Sequence, residues 1–175
     1  MKNLVVMFPG QGSQAVGMGC DLVAADPLMR ETYAEASEVL GYDLWALVQG
    51  GPGETLNSTE RTQPAMLAAG VAVWRVWTEQ GKPTPSVMAG HSLGEFTALV
   101  CAGALDFRDA IAAVQFRGRV MQEAVPAGAG AMAAILGLED ADVEAAVSRE
   151  QHGVVAVELH VFAVHHEAGN PGAVL

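Results

Sequence analysis

Residues 90–94 read Gly90-His91-Ser92-Leu93-Gly94, a G-x-S-x-G pattern set between the short run Ser86-Val87-Met88-Ala89 and a predicted helix from Leu93 to Ala102. Nothing else in the chain so restricts what it can fold into. The pattern describes a strand that turns sharply into a helix with a serine at the apex, and its small flanking residues are needed because main chain passes close on both sides. A strand–helix unit of this kind belongs to a sheet with helices packed on it, and the rest of the chain alternates accordingly.

Residues 4–8 form a short apolar run ended by Pro9-Gly10, the mark of a buried strand entering a loop. Residues 27–40 are a predicted helix, with Asp26 as its cap, Pro27 at its first position and Gly41 as its stop. A Gly/Pro/Ser-rich loop is expected from Gly50 to Thr62. A strongly apolar helix follows over residues 63–80, around Leu67, Val71, Trp74 and Trp77, and Gly81 closes it. Asp106 caps a helix over 107–125, and Pro126, Gly128 and Gly130 form a linker. Beyond it the pattern predicts a strand at 131–136, a helix at 140–150 and a strand at 154–157. The expected class is α/β with a parallel sheet.

Composition narrows the function classes. With 51% hydrophobic and 17% charged positions in 175 residues, the chain can bury a sizeable core and is not disordered. Its 20 acidic against 9 basic side chains offer no stripe of cations, which argues against nucleic acid or an anionic membrane as main partner. The run 4–8 is too short for a signal-peptide core, and no window reaches the 18 or so apolar residues of a membrane span. A soluble, cytoplasmic chain is expected. Cys20 and Cys101 lack metal-ligand spacing and suit a reducing compartment as small buried hydrophobes, so no metal and no cofactor are expected.

Three features carry chemistry. Ser92 at the strand-to-helix turn reads as a nucleophile, and the same hydroxyl could equally cap the helix. The helix N-terminus would place the Leu93 N–H and a positive dipole where an oxyanion develops. A second glycine-rich turn, Gly10-Gln11-Gly12, follows the first strand; it imitates a dinucleotide fingerprint only weakly, because no helix opens directly after it. Its alternative use is a backbone-rich loop in which Gln11 helps bind an oxyanion. Arg117 falls about 60° from the centre of the apolar arc of Phe107, Ala110, Ile111, Val114, Gly118, Met121 and Val125, taking roughly 100° per residue. A guanidinium entering an apolar face needs an anion, either a substrate carboxylate or a buried Asp or Glu. Spacing alone leaves those two open.

The stretch Phe8-Pro9-Gly10-Gln11-Gly12-Ser13-Gln14, the segment Gly90 to Glu95, Arg117-Gly118-Arg119 on its helix, Thr62-Gln63-Pro64-Ala65 and the segment Gly130 to Leu138 lie between Met1 and about Val157. Together they strongly resemble the malonyl-CoA:acyl-carrier-protein transacylases. The resemblance implies an α/β-hydrolase-like core with an inserted ferredoxin-like small subdomain, divided here into core at 1–125, the start of the small subdomain at 126–157 and an atypical tail at 158–175. It implies transfer of malonyl from malonyl-CoA to the phosphopantetheine thiol of acyl carrier protein, in fatty acid biosynthesis, through an ester on Ser92. It implies oxyanion amides from Gln11 and Leu93, a carboxylate site at Arg117, and Gln63 and Met121 near the pocket. The family's catalytic histidine would follow residue 175, so the chain is expected to be incomplete and inactive alone. After Val157 the family pattern is lost, which points to truncation, a shifted reading frame or a tail without fixed structure. The tail's His160, His165 and His166 are read as solvated rather than as a base or metal ligands. Other readings are a polyketide-type acyltransferase, a serine hydrolase or thioesterase, and a non-catalytic fragment.

Overall fold

Two short parallel strands anchor the architecture: β1 (Val5–Phe8) and β2 (Val87–His91) pair in a register that runs from Val5 opposite Val87 to Phe8 opposite Gly90. This is a computed structural model, and it describes residues 4–124, 141, 142, 145, 161–167 and 170–174. Parallel strands need a long crossover. Here it comprises α1 (Cys20–Ala25), α2 (Pro27–Leu40), α3 (Leu44–Gly50), α4 (Gly53–Leu56) and α5 (Thr59–Glu79). After β2 come α6 (Leu93–Cys101), α7 (Phe107–Ala124), β3 (Val161–Glu167) and β4 (Asn170–Val174).

The sheet order is β1-β2-β3-β4, and only its first pair is parallel: β3 runs antiparallel to β2, and β4 antiparallel to β3. The expectation of a wholly parallel sheet is corrected to that extent. Both added strands come from the tail, which the sequence pattern left without elements; the β-branched and aromatic run from Val161 to Val164 suits a strand. Residues 141, 142 and 145 are helical. The expected strands at 131–136 and 154–157 lie outside the described residues, as does the small subdomain apart from those three positions.

Local signals explain most boundaries. Asp26 accepts a hydrogen bond from the Leu28 N–H at 3.0 Å and Pro27 opens α2, while Gly41 ends it at φ 73°, a conformation glycine adopts freely. Asp106 caps α7 through bonds from the Arg108 and Asp109 amides. The expected loop from Gly50 to Thr62 instead holds α4 and the first turn of α5, so that Pro64 lies inside a helix. Leu56 is buried under this segment, and tertiary packing overrides the breaker residues.

Helix α5 is the centre of the core. Leu67, Ala68 and Val71 on it are buried in one cluster with Tyr33 and Ala36 of α2, Leu93 and Ala98 of α6, and Ala110, Ile111 and Val114 of α7. On β1, Phe8 joins this cluster and Val6 packs against it, whereas Val5 and Met7 on the opposite face are 51% and 74% exposed. No described helix is long and apolar enough to cross a membrane.

Candidate active site

The G-x-S-x-G turn lies where β2 becomes α6. A Cβ on Gly90 would run into the main chain of Gly94 and Glu95, and one on Gly94 would meet the Phe8 carbonyl and the Pro9 oxygen. The two glycines therefore let the first turn of α6 lie directly on the ends of both strands. Between them Ser92 holds φ 52° and ψ −107°, the one non-glycine residue with positive φ among the described residues. Such a conformation costs on the order of 1–3 kcal/mol, and it persists because packing on both sides imposes it.

That backbone decides what the hydroxyl does. Although Ser92 occupies the N-cap position of α6, its side chain makes no capping bond. The cap reading is thereby corrected: the turn carries Oγ away from the helix amides, and it accepts a hydrogen bond from Arg117 Nη2 at 3.0 Å instead. Leu93 buries its side chain in the core and leaves its N–H at the first position of α6. His91 packs on the other glycine-rich turn, where a Cβ on Gly10 would stand 2.8 Å from its Nδ1.

The turn after β1 is pinned from two directions. Gln14 Oε1 accepts from the Gly12 N–H at 2.8 Å, and Gln14 Nε2 donates to Asn57 Oδ1 at 2.9 Å. Gln11 Nε2 donates to Thr59 Oγ1 at 3.2 Å, which ties this exposed loop to the first turn of α5. The Gln11 side-chain amide is thereby engaged with α5.

Arg117 reaches the site from α7. Its Nη1 donates to Gln63 Oε1 at 2.8 Å, and its guanidinium carbon stands 5.9 Å from the centre of the Phe96 ring. Gln63 is fully buried in α5, and its Nε2 donates to Met121 Sδ at 3.3 Å, so Ser92, Arg117, Gln63 and Met121 form one connected chain of contacts. The ion pairs among the described residues are Arg75 with Glu35 and Arg108 with Glu38. Among the described residues Arg117 thus has neutral acceptors in place of the buried acid that sequence spacing allowed. Arg119 lies over the Phe116 ring, its guanidinium carbon 5.4 Å from the ring centre.

Sequence reasoning missed Asn57, Thr59 and the packing role of Gly118. Only Gly118 left a signal, because a glycine inside a helix costs roughly 1 kcal/mol and calls for a packing reason. Among the described residues no three His, Cys, Asp or Glu side chains converge on a metal-sized space.

A family model described as the acyl transferase domain matches residues 5–160. Malonyl CoA-acyl carrier protein transacylase of Escherichia coli K12 is 54% identical over 175 residues, covering 96% of this chain and 57% of that protein. The protein of the same name from Haemophilus influenzae is 56% identical over 156 residues, covering 89% and 50%. An acyl carrier protein S-malonyltransferase from Vibrio cholerae matches in structure with a TM-score of 0.80 at 54% identity, covering 94% of this chain and 56% of that one. A malonyl-transacylase solved in complex with its type II polyketide synthase acyl-carrier protein matches at a TM-score of 0.83 and 53% identity, covering 94% and 55%. The chain spans about half the length of the curated relatives it matches.

Proposed function

Because the chain belongs to the acyl transferase domain family, we propose that it carries the nucleophile and the acyl-carboxylate site of a malonyl-CoA:acyl-carrier-protein transacylase. The observation that carries this reading is the 3.0 Å contact between Arg117 and Ser92. In a malonyl thioester one methylene separates the carboxylate from the carbonyl under attack. A substrate so short needs its cation beside its nucleophile. Arg117 exchanges its bond to Ser92 Oγ for a two-pronged one to the carboxylate, which frees the hydroxyl at the moment the substrate arrives.

Ser92 Oγ then attacks the thioester carbonyl, the C–S bond breaks, and coenzyme A leaves as its thiol with the serine proton. Leu93 and Gln11 main-chain N–H groups stabilise the transient oxyanion. In the second half the phosphopantetheine thiol of acyl carrier protein attacks the malonyl-serine ester, and Ser92 regains a proton. A guanidinium donates and never accepts, so Arg117 cannot be the base. The proton acceptor is assigned to a histidine in the part of the relatives that this chain does not span. The finer architecture follows the same reading: an α/β-hydrolase-like core over 1–125, a ferredoxin-like subdomain beginning at 126–157, and a tail over 158–175. With malonyl-CoA and acyl carrier protein as its substrates, the protein is read as a cytoplasmic one that serves fatty acid biosynthesis.

Radiolabelled malonyl-CoA, supplied together with imidazole as an external base, is expected to leave a malonyl ester on Ser92 that Ser92→Ala abolishes. Label on another residue, or no label with imidazole present, overturns the assignment of Ser92.

A further inference from the structure

Gly118 follows Arg117 in α7 and is buried. A Cβ placed there would stand 2.7 Å from the Cα of Glu60, 2.7 Å from the carbonyl oxygen of Thr59 and 3.1 Å from the Glu60 nitrogen. All three neighbours are main chain and cannot rotate aside. Glycine is among the poorest helix formers, so its place within an eighteen-residue helix has a packing reason: α7 rests directly on the first turn of α5. One turn further along α5 stands Gln63, which accepts from Arg117 and donates to Met121. The close approach at Gly118 and the contact that orients the guanidinium thus lie side by side on the same two helices.

We propose that Gly118 is a positioning residue for Arg117: by letting main chain meet main chain, it sets the reach of the guanidinium to Ser92 and with it the preference for an acyl group that carries a carboxylate. This rests on the reading of Arg117 as the carboxylate site. Carbon atoms settle at about 3.5–4.0 Å, so a methyl group at position 118 must lift α7 by about 1 Å. A displacement of that size takes bonds of 2.8 and 3.0 Å out of hydrogen-bonding range.

The test measures equilibrium binding of malonyl-CoA and acetyl-CoA to the 175-residue chain, together with the side-chain Nε–Hε NMR signal of Arg117. The parent is expected to prefer malonyl-CoA by about tenfold or more, the usual worth of a hydrogen-bonded charge. Gly118→Ala is expected to bring that ratio close to one while its acetyl-CoA affinity stays within about twofold of the parent's, and to collapse the Arg117 signal into the averaged arginine position. A ratio that survives, or two affinities that fall in parallel as general loosening would produce, overturns the proposal. If the parent itself does not discriminate, the carboxylate reading fails, and the Arg117 signal alone decides the positioning role. Should Gly118→Ala fail to fold, Gln63→Leu removes the acceptor at similar volume; loss of the ratio supports dependence of Arg117 on α5, and its retention refutes it.

Discussion

Replacing Ser92 by glycine and by alanine gives two variants whose stabilities should fall in the reverse of their usual order. Both lose the hydroxyl and its 3.0 Å bond from Arg117, so that contribution cancels in the comparison. What remains is the backbone at φ 52° and ψ −107°. Alanine keeps a strain on the order of 1–3 kcal/mol, which glycine sheds. Against this, glycine has a freer unfolded chain, at a cost of about 0.4–1 kcal/mol. The difference favours Ser92→Gly by about 1 kcal/mol, or about 2–4 °C in melting temperature for a chain of this size. Urea unfolding followed by tryptophan fluorescence reads it, since Trp45 and Trp74 pack against the core. Gly50→Ala is the control: nothing lies within 4 Å of a Cβ at Gly50 at the end of α3, and there alanine should be the more stable residue by about 0.5 kcal/mol. Ser92→Ala at or above the stability of Ser92→Gly, with the control behaving normally, refutes the claim that this turn is strained.

Asp26→Ala removes the cap of α2 and is expected to cost about 1 kcal/mol in the same urea assay. Burial pushes up both the Cys101 thiol, against a smaller opposing effect of Arg75, and the Tyr33 hydroxyl. The folded state therefore keeps protons that the unfolded chain releases above about pH 8.5 for cysteine and about pH 10 for tyrosine, and stability should fall as pH rises from about 8 to about 10.5, read as a declining urea midpoint. Iodoacetamide at about pH 8 should modify the exposed Cys20 alone and reach Cys101 only in denaturant, as peptide mass spectrometry will show. Met7→Lys, at the most exposed apolar position of β1, is expected to lower binding of a hydrophobic dye and self-association by light scattering without lowering the urea midpoint.

Features written in a few adjacent residues are legible in the sequence. Asp26, Pro27 and Gly41 bound α2 at the residues expected, and the strand, serine turn and helix around Gly90 to Cys101 follow from the spacing of two glycines. The segment from Gly50 to Thr62 is not legible in this way, because its three glycines and Pro52 signal a loop whereas burial of Leu56 holds it in helical turns. Helical arithmetic puts Arg117 on the flank of an apolar face and stops there. That its guanidinium meets Ser92 and Gln63 depends on three elements, with sequence separations of 25 and 54 residues that no periodicity records. Met121, counted on the apolar arc, lies 36% exposed with its sulfur on Gln63, since the arc runs out of core at that end of α7. The antiparallel pairing of β3 is equally invisible, being a choice of partner and not of local conformation.

Helix α5 bears on the site twice: Thr59 in its first turn holds the loop of Gln11, and Gln63, one turn on, holds Arg117. A shift of α5 against the sheet is consequently felt at the loop and at the guanidinium together, through one hydrogen bond each. The two sides of the candidate site, which hang from β1 and from α7, are thus braced against the same third element.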